Sequence, residues 1–277
     1  MRVAYHTCDL KKEDTDMRMN YRELIDRKIA DSLISLFRSG LDAGALMDRL
    51  KDFHEHDIAQ ALEELGVEGK TVGVASVGCS VMCYDYFTCD MVQAPHGRAQ
   101  AVATGLKRAR PDNVIFTYQG DGDLAAIGTA ETVHAATRGE NITVIFINNA
   151  IYGMTGGQMA PTSLPGQVTQ TTPYGRDTNT AGYPVKVCEM LSTLDGVAFA
   201  QRVTVDCVKN VNIARKAIKK AFQNQIEGKG YSIVEVLSTC PTNWGMSPVE
   251  ALKWLNDNMI PYYPLGVYKD VEEGVKK

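Results

Sequence analysis

The amino-acid sequence predicts an α/β fold in which a doubly wound, mostly parallel sheet follows a helical extension. Five short runs are rich in β-branched residues and apolar on both faces, which is typical of strands buried in a parallel sheet. Helical patterns lie between several of these runs, and this alternation favours the doubly wound arrangement. The predicted strands are TVGVASV (71–77), VIFTY (114–118), TVIFIN (143–148), FAQRVTV (199–205) and SIVEVL (232–237).

Helical patterns account for most of the remaining regular structure. Three of them, at 99–108, 124–138 and 212–225, connect consecutive predicted strands. Before the first strand, apolar residues recur at helical spacing, and a second helical stretch ends at Gly66, a residue type common just after helices. We therefore predict two domains, a helical extension over 1–66 and an α/β domain over 67–277.

Composition and charge argue against several classes of protein. The net charge is −4 and no block of Lys or Arg is present, so we expect neither nucleic-acid nor membrane-surface binding. No apolar run is long enough to span a bilayer, and the first 20 residues lack the apolar core of a signal peptide. The seven cysteines are an odd number scattered along the chain, which favours a reduced, cytoplasmic setting.

Clusters of glycine and polar residues follow four of the predicted strands. Ligands of doubly wound sheets bind at the carboxyl ends of the strands, so these clusters mark the candidate site. They are Gly78–Cys79, Gly120–Asp123, Asn148–Asn149 with the nearby Tyr152–Gly153, and Cys240–Trp244.

Asp121 and Asn149 have the side chains that a magnesium–diphosphate site needs. Mg²⁺ binds oxygen ligands, commonly one or two from the protein together with phosphate oxygens. Gly120 and Gly122 would let the backbone approach a phosphate closely. Taken alone, each motif is more often a turn or a strand cap. The 25 residues between Gly122 and Asn148, enough for one helix and one strand, make the pair more specific.

A long loop follows the third predicted strand and is rich in Gly, Pro, Thr and Asn. It runs from 153 to 184. Long loops inside compact domains are uncommon and often functional, although a surface excursion is the alternative.

The two motifs together resemble the thiamine-diphosphate (TPP) binding motif, "GDG", then 25 to 30 residues, then "NN". Longer stretches resemble the β subunits of 2-oxoacid:ferredoxin oxidoreductases, nearest the branched-chain 2-oxoisovalerate type, over residues 67–270. The resemblance implies a sheet of the TPP-binding type. The stretches are "VGCS", "PHGRAQAVATGLKRARPD", "TYQGDGDLAAIG", "NNAIYGMTGGQMAPTS" and "CPTNWGMSPVEAL".

The resemblance implies roles for individual residues. Asp121, Asn149 and the backbone carbonyl of Ile151 match the Mg²⁺ ligands of the family, and His96 and Arg98 match a loop near cofactor and substrate. For His96, a hydrogen-bonded loop histidine is an equal alternative, and Asp123 could instead cap the following helix. The implied cofactor-binding set adds Gly78, Cys79, Gly120, Gly122, Asp123, Tyr152, Gly153, Thr155, Gly156 and Gln158.

The resemblance also implies a reaction and a set of partners. Family members oxidatively decarboxylate a 2-oxoacid, pass the electrons through an iron–sulfur cluster to ferredoxin, and transfer the acyl group to coenzyme A. The glutamate that activates the cofactor comes from an α subunit, so we expect this chain to be inert alone. Further γ and δ subunits are possible partners. A branched-chain 2-oxoacid is the favoured substrate.

The cysteine pattern departs from the family. A [4Fe–4S] cluster needs four thiolates, and Cys79 and Cys240 match two of them. The other two belong to a "CPGC" motif, whose place near Leu46–Arg49 holds no cysteine. The sequence therefore makes the cluster doubtful. It leaves open a cluster-free TPP-dependent 2-oxoacid decarboxylase subunit or a non-catalytic assembly subunit.

Overall fold

A seven-stranded sheet forms the centre of residues 62–272, the part of the chain that this computed structural model describes. The strand order is β2-β1-β3-β4-β6-β5-β7, and β7 is the one antiparallel member. The strands are β1 (Thr71–Ser76), β2 (Asp90–Ala94), β3 (Val114–Gly120), β4 (Thr143–Asn148), β5 (Val197–Thr204), β6 (Tyr231–Leu237) and β7 (Gly266–Asp270).

Helices and single turns connect the strands. The α-helices are α1 (Ala99–Ala109), α2 (Thr129–Thr137), α3 (Thr178–Ala181), α4 (Val187–Ser192), α5 (Val208–Ile226), α6 (Pro241–Trp244), α7 (Pro248–Trp254) and α8 (Ile260–Tyr262). Glu68–Lys70 and Cys79–Asp85 form 3₁₀ turns, and Asp123–Ile127 and Leu255–Met259 form π-helical turns. Within residues 62–272 no helix combines the length and apolarity needed to cross a membrane.

The predicted fold class and all five predicted strands are confirmed. Two edge strands, β2 and β7, were not predicted, because their sequences DMVQA and GVYKD are half polar and partly exposed. The predicted extension over 1–66 lies almost wholly outside the described residues. Its last part is described: residues 62–65 are helical, and the helix ends at Gly66, whose φ is 65°.

The helix predicted over 124–138 is wrong as one continuous element. The chain forms the π-helical turn first and begins α2 only after Gly128. At Gly128 the backbone packs tightly, since an added Cβ would lie 2.4 Å from the Asp123 carbonyl oxygen and 2.9 Å from that of Gly97. The interruption therefore lets the 95–98 loop approach this segment.

Two apolar layers hold the helices on the faces of the sheet. Because successive strand residues point to opposite faces, Phe116 packs with the α5 side, and Ile115 packs with the α1 and α2 side. Strand β3 is buried along almost its whole length, as expected for a central parallel strand.

The topology brings four strand ends to one edge of the sheet. Strands β1, β3, β4 and β6 are adjacent and parallel, so their carboxyl ends lie side by side. Strand β1 has β2 on one side and β3 on the other, so the strand order reverses direction at β1. Crevices at such reversals are the usual ligand sites of doubly wound sheets.

Candidate functional site

Asp121 lies at the end of β3 and is 3% exposed. Its Oδ2 accepts hydrogen bonds from the Thr162 hydroxyl at 2.8 Å and the Ile151 N–H at 3.2 Å, and its Oδ1 accepts from the Gly122 N–H at 3.1 Å. Burial raises the pKa of this carboxyl to about 6, although these hydrogen bonds oppose the rise. A buried carboxylate of this kind favours a cation nearby.

The two glycines beside Asp121 have different surroundings. A Cβ on Gly122 would lie 2.0 Å from Cε1 of Tyr152, so the tyrosine ring occupies the space of a side chain there. A Cβ on Gly120 would meet no heavy atom within 4 Å. Packing therefore explains the absence of a side chain at Gly122, whereas at Gly120 the space is open to an approaching ligand.

The segment from Asn149 to Ile151 forms a tight turn beside Asp121. Ala150 has a φ of 57°, the one positive value among non-glycine residues in 62–272, and such strain costs on the order of 1–3 kcal/mol. The Trp244 Nε1–H donates to the Asn149 carbonyl at 3.1 Å. The Asn149 Oδ1 is buried and has no hydrogen-bond partner among the described residues.

These groups match the chemistry of a magnesium site. The Asp121 carboxylate is anionic, the orphaned Asn149 Oδ1 is a neutral oxygen, and the Ile151 backbone follows directly, tied to Asp121 by its N–H. Mg²⁺ prefers such oxygen ligands. A buried polar atom without a partner is costly, and a ligand would remove that cost. The residues present therefore fit Mg²⁺ held with a diphosphate.

Asp123 holds together the loops around the site by hydrogen bonds. Its Oδ1 accepts from the Ser76 hydroxyl at 2.6 Å and the Gly97 N–H at 2.5 Å, and its Oδ2 accepts from the Gln119 amide at 2.5 Å. The cap of the following turn is Gly122, without a side-chain hydrogen bond, so the alternative role as a helix cap is not seen. Both carboxylate oxygens are used by the protein, and Asp123 thereby ties the ends of β1 and β3 to the 95–98 loop.

The surroundings of His96 fix which ring nitrogen carries a proton. Its Nδ1 lies 2.9 Å from the Val77 carbonyl oxygen and 3.1 Å from Asp123 Oδ1. Both neighbours accept hydrogen bonds, so Nδ1 must be the protonated nitrogen. In the neutral ring Nε2 is then an acceptor. The side chain is 37% exposed, which leaves Nε2 accessible.

The Arg98 side chain is paired with other groups of the protein. Its Nη1 lies 2.8 Å from Glu131 Oε1 on α2 and also approaches the Gly97 and Ile127 carbonyls at 3.4 Å. The guanidinium is 46% exposed, so this pair is partly solvated. The arrangement places Arg98 beside His96 and fixes the start of α1.

The long loop after β4 is held together by Arg176, which is 5% exposed. Its guanidinium donates at 2.6–3.3 Å to carbonyl oxygens spread along the loop, those of Ala160, Pro161, Ser163, Ala181 and Gly182. One side chain thus closes the loop on itself and keeps Thr162 against Asp121. The loop is a wall of the site and not a separate surface excursion.

Three loop residues from the predicted cofactor set form an exposed turn. Thr155 and Gln158 hydrogen-bond each other, with the Thr155 hydroxyl on Gln158 Oε1 at 2.6 Å and the Gln158 amide on the Thr155 carbonyl at 2.7 Å. Gly156 has a φ of 102°, which favours glycine, and open space beside it. Backbone bonds between Tyr152 and the 157–158 segment close this turn.

Cys79 and Cys240 come together next to Gly153. A Cβ on Gly153 would lie 3.1 Å from the Cys79 sulfur and 3.8 Å from the Cys240 sulfur. Gly78, whose φ of 122° suits glycine, directs the chain into the turn that begins at Cys79. Although Cys79 is exposed as a residue, partial burial of its thiol raises the pKa, and Cys240 and Asp121 raise it further.

Among the described residues, two sulfurs come together without a complete cluster shell. Within residues 62–272 no group of three or more His, Cys, Asp or Glu side chains is placed to hold a metal ion. The position of the missing "CPGC" motif, near Leu46–Arg49, lies outside the described residues.

Several residues that build the site were given no individual role by the sequence. Thr162 donates to Asp121, and Trp244 donates to the Asn149 carbonyl. Asn148 accepts from the Ala150 N–H. Trp244 stands in a predicted cluster, and Asn148 in the "NN" pair, so both had a signal. Thr162 lies in the quoted stretch NNAIYGMTGGQMAPTS and in the long loop, but nothing in its spacing links it to Asp121.

Comparisons with known proteins agree with the fold and the paired motifs. Residues 76–236 match the family described as thiamine pyrophosphate enzyme, C-terminal TPP binding domain. Ketoisovalerate oxidoreductase subunit VorA of Methanothermobacter thermautotrophicus is 50% identical over 213 residues, which cover 77% of this chain and 45% of that protein. 2-Oxoglutarate synthase subunit KorB of Methanocaldococcus jannaschii is 36% identical over 249 residues, which cover 88% of this chain and 84% of that protein.

A solved structure supports the same grouping. The 2-oxoglutarate:ferredoxin oxidoreductase from Magnetococcus marinus, with 2-oxoglutarate, coenzyme A and succinyl-CoA bound, matches with a TM-score of 0.64 at 25% identity, over 78% of this chain and 79% of that one. The chain spans less than half the length of the VorA relative. It belongs to the thiamine pyrophosphate enzymes and, among them, to the TPP-binding subunits of 2-oxoacid oxidoreductases.

Proposed function

We propose that this chain binds thiamine diphosphate together with Mg²⁺ at the carboxyl ends of β3 and β4. Asp121, the Asn149 side-chain oxygen and the Ile151 carbonyl would hold the metal, and Gly120 would let the diphosphate approach the backbone. The observation that carries the proposal is the buried, unpartnered Asn149 Oδ1 in the turn that Asp121 holds.

Within that site the cofactor, when bound, supplies the electron sink for decarboxylation of a 2-oxoacid. The chain's own residues supply placement and electrostatics. Asp121 contributes negative charge from a buried position, and the loop closed by Arg176 limits access of water. In its neutral form, the His96 ring offers Nε2 as a proton acceptor. The other predicted cofactor-binding residues stay predictions.

The substrate and partners belong to the same proposal. A branched-chain 2-oxoacid is favoured because the VorA relative is named a ketoisovalerate oxidoreductase subunit. We infer oxidative decarboxylation to an acyl-CoA, with ferredoxin as electron acceptor and an α subunit as obligate partner, joined by γ or δ subunits. A cytoplasmic setting and the 1–66 and 67–277 domain division are further parts of this hypothesis.

Thermal unfolding with and without cofactor tests the binding claim. A ligand that binds only the native state at 100 times its Kd adds about 2.7 kcal/mol to the free energy of unfolding. We expect TPP with Mg²⁺ to raise the Tm of the wild-type chain, and the Asp121→Ala variant to lose that rise. The matched control is Asp195→Ala, an exposed aspartate in a turn before β5. An equal rise in Asp121→Ala, in the chain alone and with its partner, would reject the site.

A second candidate function is favoured by the incomplete set of thiolates. Cys79 and Cys240 meet beside Gly153, and the described residues add no third ligand to them. A cluster-free 2-oxoacid decarboxylase subunit would need none. Iron and sulfide analysis of the anaerobically purified chain separates the two: about four irons per chain supports the oxidoreductase. Iron-free protein that decarboxylates with its partner supports the second candidate, and iron-free protein without TPP binding supports an assembly role.

A further inference from the structure

A buried chain of charged and polar groups lies beneath the turn at Asn149. Arg202 on β5 and Glu235 on β6 are both 0% exposed and are neighbours in the sheet register. Arg202 Nε and Glu235 Oε2 lie 2.9 Å apart as an ion pair without hydrogen-bond geometry. The other side of the guanidinium binds Glu189 with contacts of 2.5 and 3.0 Å. One buried arginine therefore stands between a buried carboxylate, Glu235, and a partly exposed one, Glu189.

The other carboxylate oxygen of Glu235 points toward the candidate site. Glu235 Oε1 accepts a hydrogen bond from Asn148 Nδ2 at 2.8 Å, and Asn148 is fully buried at the end of β4. Asn148 Oδ1 in turn accepts from the Ala150 N–H at 3.2 Å. A carboxylate can only accept, so the amide nitrogen of Asn148 must face Glu235 and its oxygen must face Ala150.

The turn at Ala150 depends on side chains that hold its backbone. Ala150 is the non-glycine residue with a left-handed φ, and such a conformation persists only when the surroundings over-determine it. Asn148 holds its N–H, while the Ser163 hydroxyl at 2.6 Å and the Gln167 amide at 3.0 Å hold its carbonyl. This turn places the Ile151 N–H on Asp121 Oδ2, and the unpartnered Asn149 Oδ1 lies in the same turn.

We propose that Glu235 is a positioning residue for the metal site: it fixes the Asn148 amide, which in turn holds the left-handed turn that presents Asn149 and Ile151. This inference rests on the proposed function. A contribution to stability alone is a poor explanation of the charges, because buried ion pairs are often no better than apolar residues of similar volume. A role in orientation explains why the carboxylate has one oxygen on Arg202 and the other on Asn148.

The Glu235→Gln variant removes one of the two acceptor oxygens. The remaining oxygen can face only one of Arg202 and Asn148. Because the charged guanidinium of Arg202 attracts it more strongly than a neutral amide does, we expect the new amide N–H₂ to oppose Asn148 Nδ2. We expect the Mg²⁺ Kd, measured by calorimetric titration of the full chain at saturating TPP, to weaken by about 10–100-fold, as for other partners that orient metal ligands. Trp244 fluorescence follows the same titration, since its indole holds the Asn149 carbonyl.

The control variant is Glu140→Gln. Glu140 is also a buried carboxylate, 7% exposed, and it pairs with Arg108 and Arg138 just before β4 begins, at the opposite end of that strand from Asn149. We expect this change to lower Tm and leave the Mg²⁺ Kd unchanged. General destabilisation would instead weaken Mg²⁺ binding in both variants.

A double variant keeps the inference testable if Glu235→Gln fails to fold. Arg202→Met with Glu235→Leu replaces the buried pair by apolar residues, a change that is often neutral or stabilising. The variant also removes the partner of Glu189, but this carboxylate is 33% exposed and can be solvated. It still deprives Asn148 of its acceptor, so weaker Mg²⁺ binding at near wild-type Tm supports the positioning role. Wild-type Mg²⁺ affinity in this variant, or in a folded Glu235→Gln chain, overturns it. If the wild-type chain itself shows no TPP-dependent Mg²⁺ binding, the proposed function fails with it.

Discussion

Single residues at the site are distinguished by the hydrogen-bond partners of their side chains. Asp121 accepts three hydrogen bonds and still carries a raised pKa, because burial outweighs them. Asp123, two residues later, also accepts hydrogen bonds at both oxygens, but its donors hold together β1, β3 and the 95–98 loop. The two carboxylates therefore differ in their donors: those of Asp121 include the Ile151 N–H, in the turn that contains the unpartnered Asn149 oxygen.

The raised pKa of Asp121 gives a pH dependence of metal binding. With a pKa of about 6, the carboxyl is protonated below that pH in the metal-free chain, and Mg²⁺ must displace the proton. We expect the Kd to be flat above pH 6 and to weaken about tenfold per unit below it. Calorimetry in buffers of different ionisation enthalpy counts the released proton, and a pH-independent Kd between 5 and 7 would contradict the assignment.

The raised pKa of Asp121 also affects the free energy of unfolding of the metal-free chain, with a pH trend opposite to that of Mg²⁺ binding. Because the folded-state pKa lies above the ordinary value of 3.8, the folded chain binds the proton more tightly than the unfolded chain between that value and about 6. The contribution of this group to stability therefore falls as the pH rises through that window.

The two glycines next to Asp121 form a matched pair of variants. Gly122→Ala would drive a methyl group into the Tyr152 ring, so we expect the cofactor-free chain to lose about 1–3 kcal/mol of unfolding free energy. Gly120→Ala meets open space, so we expect a change within about 0.5 kcal/mol but weaker TPP binding. Chemical denaturation and titration measure the two effects. Equal stability losses would show that open space at Gly120 has been misassigned.

The protonation of His96 is open to direct measurement. Nitrogen-15 spectra of the imidazoles, assigned through His96→Gln, report which ring nitrogen carries the proton. We expect the Nδ1–H form in the neutral ring, because the Val77 carbonyl and Asp123 both accept from that nitrogen. A dominant Nε2–H form would remove His96 as a proton acceptor. The chain has five histidines, which keeps the spectrum simple.

At the scale of elements, the predictable parts are those whose sequence pattern indicates that both faces are buried. The central strands were found because Val114–Tyr118 and Thr143–Asn148 are apolar on both faces. The edge strands β2 and β7 were missed because their sequences mix polar and apolar residues and lack the continuous apolar run of a buried strand. The break after Ile127 was also missed, since it depends on the approach of Gly97 from a distant loop.

The long loop is an element whose order depends on one side chain. We expect Arg176→Met to leave several buried carbonyls without a donor and to lower the unfolding free energy by about 1–3 kcal/mol. Hydrogen exchange should rise within 149–186 and not in α5. Because Thr162 lies in this loop, cofactor binding should weaken too. Uniformly raised exchange over the whole sheet would contradict a local role.

At the scale of the whole molecule, the parallel sheet determines where the site lies. Motifs distant in sequence meet because β1, β3, β4 and β6 end at one edge. The position of the site at this edge follows from the sequence pattern and the two motifs. The contacts of Thr162, Arg176 and Glu235 do not, because they depend on loop conformation and on register between strands that no local pattern specifies.

The most direct test of the account is a structure of the chain with TPP and Mg²⁺ bound, with its partner subunit if binding requires it. We expect one metal ion, bound by Asp121, Asn149 Oδ1 and the Ile151 carbonyl at about 2.0–2.1 Å together with diphosphate oxygens. The Asn149 oxygen would then have the partner it lacks within the described residues. A bound cofactor whose metal leaves Asp121 and Asn149 uncoordinated would contradict the central claim.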